Sequence, residues 1–107
     1  MITDFTSDIA EAAYFAITRN RKQYARWAEA IDCLRVEKDL PEYREAYEVP
    51  DELPPLEAKM YILAEMLEVY YAEQLPSLES PFGEILLEAF NEVNWLEIAT
   101  KLWENVT

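Results

Sequence analysis

"PLEAKMYILAEMLEVY", residues 55–70, decides the fold. Leu56, Met60, Leu63, Leu67 and Tyr70 recur there at 4-3-4-3 spacing, the repeat of an apolar stripe along a helix. Pro55 suits a first helical position, because its missing N–H would be unpaired there anyway. The same period runs through the chain on both sides. Val/Ile/Thr-rich alternating runs and Gly-containing hairpin turns are missing, so nothing argues for strands.

Upstream, Ile9, Ala12, Ala13, Ala16 and Ile17 form one stripe, with Ser7 as a candidate N-cap. Tyr24, Trp27, Ala28, Ile31 and Leu34 form the next, seven residues on in phase, so one continuous helix would preserve the pattern. Asn20 would then fall inside the apolar stripe, which favours two helices with a break near Thr18–Arg21. Downstream, Ser80-Pro81 reads as a helix start, with Leu86, Phe90 and Val93 on its buried side. Asn94 caps a last helix in "VNWLEI", with Glu97 three residues on and Val93/Ile98 as a hydrophobic staple. Ala99, Leu102, Trp103 and Val106 supply its apolar side. All six prolines lie between residues 41 and 81, and 39–54 reads as a Pro-rich connector holding one short helix through Tyr47. The expectation is all-α: a single domain, 1–107, built as a compact bundle of four to five helices at about 7–18, 21–38, 55–74, 82–92 and 95–105.

Composition narrows the chemistry. The 107 residues are 51% apolar and carry a net charge of −13, too hydrophobic for a disordered chain. Histidine is absent, which removes His-activated nucleophiles and imidazole–zinc sites. One cysteine, Cys33, makes no internal disulfide and no thiolate cluster, and reads as a small buried hydrophobe. The single glycine, Gly83, excludes Gly-rich phosphate loops and the EF-hand loop. The expectation is no enzyme, with no catalytic residue, metal or cofactor. The longest apolar run, Ala12–Ile17, is far below a membrane span. The opening residues lack the pattern of a secretion signal, and the expected location is the cytoplasm of the producing or host cell.

Charge is divided along the chain. Residues 1–38 carry equal numbers of acids and bases, whereas residues 39–107 carry 16 acids against Arg44, Lys59 and Lys101, the whole of the net charge. Such a division speaks of partners rather than fold. Glu84, Glu88 and Glu92 stand at i, i+4 and i+8 with no base between them, a mildly destabilising arrangement in a helix. They read either as a solvated acidic face or as a surface that imitates a phosphate backbone. Duplex DNA carries one charge per roughly 1.7 Å of axis, so one row is too sparse. Glu57, Glu65, Glu68, Glu73 and the Glu42–Glu52 connector would have to contribute. Trp27, Trp95 and Trp103 read as core by position; Trp95, on the first turn of its helix, is the candidate aromatic anchor of such a surface if it is exposed.

Arg19, Arg21, Lys22 and Arg26 cluster in "TRNRKQYARWAEAI", residues 18–31. With Tyr24 and Trp27 they could meet nucleic acid, but the net charge opposes it and the aromatics belong to the apolar stripe. The alternative is structural: bases beside a turn that pair with acids of later helices.

The segment "EVNWLEIATKLWENV", residues 92–106, resembles a Val-Asn/Asp-Trp-x-Glu-Ile-Ala ending of small proteins from phages and other mobile elements. In size, acidity and helical content the chain is similar to anti-restriction and anti-CRISPR inhibitors of the nucleic-acid-mimic type. That resemblance implies a protein partner with a basic, nucleic-acid-binding surface and assigns no residue roles; the net charge argues against direct contact with nucleic acid, and the short apolar runs against a membrane. The leading expectation is therefore a small acidic inhibitor that binds protein. The alternative is a structural or adaptor subunit docking through an apolar helical groove. Oligomeric state stays open.

Overall fold

The computed structural model describes residues 8–73 and 87–106, with Glu37 described by its backbone alone. Five α-helices have defined bounds: α1 (Asp8–Arg19), α2 (Arg21–Leu34), α3 (Leu40–Ala46), α4 (Pro55–Ala72) and α5 (Trp95–Val106). A 3₁₀ turn, Glu37–Asp39, precedes α3, and residues 87–91 are also helical. No strand occurs among the described residues, in agreement with the all-α expectation. The start expected at Ser80-Pro81, the cap at Ser7, and Glu84, Leu86 and Gln74 lie outside the described residues.

The first two stripes belong to two helices. Asn20 leaves the helical conformation (φ −98°, ψ 112°) and its side chain accepts from the backbone N–H groups of Lys22 and Gln23, at 3.0 and 3.1 Å. An amide in an apolar stripe would be desolvated. At an N-cap it instead satisfies two otherwise unpaired donors. The buried side of α1 differs from the expected one: Ala10, Tyr14 and Ile17 are buried, Ile9 and Ala13 are half-buried, and Ala12 and Ala16 are exposed. Tyr14 has far more apolar area to remove from water than Ala12 or Ala16, and it turns the helix toward itself.

Expected to run to residue 38, α2 stops at Leu34. The Arg35 N–H still reaches Ile31 O at 3.1 Å, and Val36 then bonds to Cys33 O instead. Val36 is 41% exposed and Lys38 is exposed too, so neither position gives continuation a core contact before Leu40. Pro41 has no N–H to extend the ladder, and the helix restarts as α3. Cys33 is exposed, not buried. It lies on the side of α2 away from Trp27, Ile31 and Leu34, which take the core positions.

At the end of α3 the Glu48 N–H bonds to Glu45 O and the Val49 N–H to Arg44 O, a Schellman closure with Glu48 left-handed (φ 51°) and Val49 packed into the core. The following Pro-rich crossing is clamped by Arg44, whose guanidinium donates to Pro50 O at 3.1 Å and Leu53 O at 2.7 Å.

Helix α4 is the centre of the fold. Ala58, Lys59, Met60, Ile62, Leu63, Ala64 and Leu67 are all buried, wider than a single stripe, because other helices lie on more than one side of it. Its main partner is α5. Leu56, counted with the stripe, is 56% exposed: it lies in the first turn. The α5 start follows the cap chemistry, with Glu97 N–H on Asn94 Oδ1 at 3.1 Å. Trp95, Ile98, Ala99, Leu102 and Trp103 are buried, and Phe90 and Val93 pack on the same core. Among the described residues no helix is long and apolar enough to cross a membrane.

Candidate functional site

Two adjoining depressions mark the outer side of the α4–α5 pair. The larger, about 610 Å³, is lined by Pro50, Leu53, Leu56, Glu57, Met60, Tyr61, Leu96, Thr100, Trp103 and Glu104. Its volume lies within the roughly 300–1,000 Å³ of ligand and anchor pockets. Leu56 and Leu96 are 56% and 48% exposed, while Met60 and Trp103 form a buried floor. Thr100 donates its hydroxyl to Leu96 O at 2.9 Å, so that polar group is satisfied within its own helix. The Arg44 clamp fixes the Pro50 and Leu53 carbonyls and thereby sets one wall of this groove. No basic residue lines it; its charged residues are Glu57 and Glu104.

The second depression, about 250 Å³, shares Tyr61 and Leu96 with the first and adds Ala64, Glu65, Glu68, Val93, Asn94 and Trp95. Three residues expected at a partner surface, Glu65, Glu68 and Trp95, thus come together. Glu57 and Glu68, eleven residues or about three turns apart, share a face of α4 with Glu65 between them. Glu73, at the C-cap of α4, is exposed on another side. Glu88 and Glu92 are exposed, but Glu92 sits in the turn beyond the helical residues 87–91. The expected i, i+4, i+8 row with Glu84 therefore does not run through Glu92 on one helix.

Trp95 is in the core and 9% exposed. It stacks on Tyr71 (5.8 Å between centroids, 11° between planes) and meets Phe90 at 5.2 Å. Its indole N–H is buried and meets no acceptor among the described residues. Tyr71 joins this helix to α2: the Trp27 indole N–H donates to the Tyr71 hydroxyl at 2.8 Å, and that hydroxyl donates to Gln23 Oε1. Burial is the main cause that pushes the Tyr71 phenol above the ordinary tyrosine range, with Tyr70 adding to it and the Trp27 hydrogen bond and Arg26 opposing.

The basic cluster does not pair with later acids among the described residues. Arg26 lies over the Tyr70 ring at 4.4 Å and Arg19 over Phe15 at 5.0 Å, cation–π contacts that need no carboxylate. Arg21 and Lys22 are exposed. Trp27 is buried and Tyr24 half-buried, with the Tyr24 hydroxyl accepting from Asn105 Nδ2 at 3.4 Å, so neither ring forms an open stacking platform for bases. One ion pair, Arg35–Asp32 at 3.0 Å, lies within the charge-balanced first third.

The groove was legible in one signal that sequence reasoning passed over: Leu96 is a large apolar residue off the stripe of its own helix. Leu56 fits the apolar period of α4, yet stands exposed. No group of three Cys, Asp or Glu side chains among the described residues converges where a cation could sit. Compared with models of protein families, with curated proteins and with solved structures, the chain matches none.

Proposed function

We propose that this protein binds another protein through its acidic side, and that the partner offers a basic, nucleic-acid-binding surface which it occupies as an inhibitor. One observation carries the reading. Glu57, Glu65, Glu68, Glu73, Glu88 and Glu92 sit at or near the surface with no ion pair to any described residue, while Arg19 and Arg26 of the first third lie on aromatic rings. These carboxylates therefore direct their charge outward from the later part of the chain, which carries the whole net charge of −13. Absence of histidine supports a binding role over hydrolytic or transfer chemistry, and the reading needs neither metal nor cofactor. A cytoplasmic site of action belongs to the same proposal.

Strict imitation of a duplex makes a larger demand. Glu57 to Glu68 span about 16 Å of α4, over which DNA would present about ten charges against three carboxylates here. Mimicry then depends on the connector acids and on Glu88 and Glu92 adding to the same field. The test is capture of partners from the native host lysate at low and high salt, with duplex DNA or RNA as competitor. The expected result is a partner released by salt and displaced by nucleic acid. A partner held equally in high salt and indifferent to competitor would refute the reading.

The groove favours a second reading, an adaptor subunit that docks through apolar contact, because Leu56 and Leu96 stand exposed above it. Salt-indifferent capture that is lost on Leu96→Ser would select this reading over the first.

A further inference from the structure

We infer that the α4–α5 groove takes an amphipathic, basic helical segment of the partner, its apolar side chains seated between Leu56 and Leu96 and its lysines or arginines facing Glu57, Glu104, Glu65 and Glu68. The inference rests on the reading of this protein as a binder of basic protein surfaces, and it adds where the contact is made and what the partner must supply.

Three observations select this occupant. First, the groove has an apolar floor, Met60 and Trp103, and two leucines that remain about half exposed at its rim. Helix-in-groove recognition uses such a trough for anchors at i, i+3/i+4 and i+7. Secondly, both charged residues of the groove lining are acidic, and the trough runs past Tyr61 and Leu96 into the depression that holds Glu65 and Glu68. An anchor flanked by cations meets opposite charge on both sides of its apolar seat. Arg35, which lies 5.6 Å from the Trp103 ring, is already paired with Asp32. Thirdly, a second copy of this chain is a poor occupant, because each copy carries −13 and the same acidic rim. Bringing the two faces together would oppose like charges at short range.

The experiment uses the full chain and three synthetic peptides of about 15 residues, roughly 22 Å when helical. One carries leucines at i, i+3/i+4 and i+7 with lysines elsewhere. The second scrambles that sequence, and the third keeps the leucine face but replaces lysine by glutamine. Affinities are measured by calorimetry at two salt concentrations for wild type, Leu56→Ser, Leu96→Ser and the double variant Glu57→Gln/Glu104→Gln. Both leucines are exposed, so the serine variants are expected to stay folded, which their circular dichroism will verify.

The amphipathic basic peptide should bind. Each serine substitution should weaken it about tenfold, the scale of one buried leucine contact, and the glutamine pair should flatten its salt dependence. Equal binding of the scrambled peptide, with no effect of either leucine, overturns the groove while leaving the acidic-surface reading standing. Equal binding of the glutamine peptide overturns the basic character of the occupant, and with it the charge argument. A dimer in sedimentation that Leu96→Ser disperses shows that a second copy covers the groove, and overturns the inference too.

Discussion

Around Trp27 and around Leu96 the same kinds of side chain are arranged to opposite ends. At Trp27, polar groups are matched with one another: the indole N–H with the Tyr71 hydroxyl, that hydroxyl with Gln23, and Arg26 with the Tyr70 ring. Trp27 itself is 4% exposed, and the cluster joins α2 to α4 and, through the Tyr71–Trp95 stack, to α5. At Leu96, the residue after Trp95 on α5, apolar area is left in water and the neighbouring carboxylates of Glu65 and Glu68 have no ion-pair partner among the described residues. Stability is concentrated on the first side. The second keeps surface that folding did not use, and that is where a partner would find both hydrophobic and electrostatic free energy.

The largest effect should separate the two sides outright. Trp27→Ala removes a buried ring and leaves the Tyr71 hydroxyl short of a donor, so it should cost about 3–5 kcal/mol in urea unfolding. Leu96→Ser, at a half-exposed position, should change stability by less than about 0.5 kcal/mol. A Leu96→Ser variant as unstable as Trp27→Ala would break the comparison, since Leu96 would then be core and the groove closed.

Arg44 tests whether the groove wall is held from outside the two main helices. Its guanidinium makes two bonds to connector carbonyls, at 3.1 and 2.7 Å, and charge-assisted bonds of this kind contribute about 1.5–3 kcal/mol. Their partial exposure places the expected loss for Arg44→Ala near the lower end of that range. Hydrogen exchange should quicken at Leu53, whose N–H bonds to Pro50 O, while α2 amides keep their protection. Uniform acceleration would mean that Arg44 supports the whole fold rather than the wall.

Asn20→Ala should cost about 1 kcal/mol, the usual worth of an N-cap side chain, and should do so without touching the groove. A cost near zero would show that the break between α1 and α2 is imposed by packing alone.

Asn20 also illustrates how much the sequence could disclose. An amide in an apolar stripe is a local contradiction, and Asn94 three residues before Glu97 is a local agreement; both marked helix boundaries that the fold keeps. Phase was less legible. Alanines at residues 12 and 16 fitted the α1 period, but period counts positions, and burial follows area, so Tyr14 prevailed. Exposure of Leu56 and Cys33 was hidden for a related reason: an apolar side chain on a helix is covered only where another element passes over it, which spacing along one helix does not record. The acidic residues were visible as a total, yet which of them share a face depends on how α4 and α5 meet. That brought Glu65 and Glu68 to Trp95 and put Glu92 in a turn.

The smallest effect concerns the residue that connects the two sides. Burial raises the Tyr71 phenol above the ordinary tyrosine range, as it does for Tyr14 and Tyr43. For an acid whose folded pKa is raised, the folded state holds the proton more tightly than the unfolded chain does. The resulting stability is complete below about pH 10, where unfolded tyrosines begin to ionise, and is lost as pH climbs through the raised value. Ionised Tyr71 would also have no proton to give Gln23, and its charge would sit against the Trp95 ring. Tyr71→Phe lowers the baseline by removing both hydrogen bonds, so the informative quantity is slope rather than level. Melting temperature should fall less steeply for Tyr71→Phe than for wild type between pH 9 and 11, with Tyr14 and Tyr43 supplying the slope that remains. Identical slopes would mean that Tyr71 takes no part in the alkaline transition and that the α2–α4 link is held by ring packing instead.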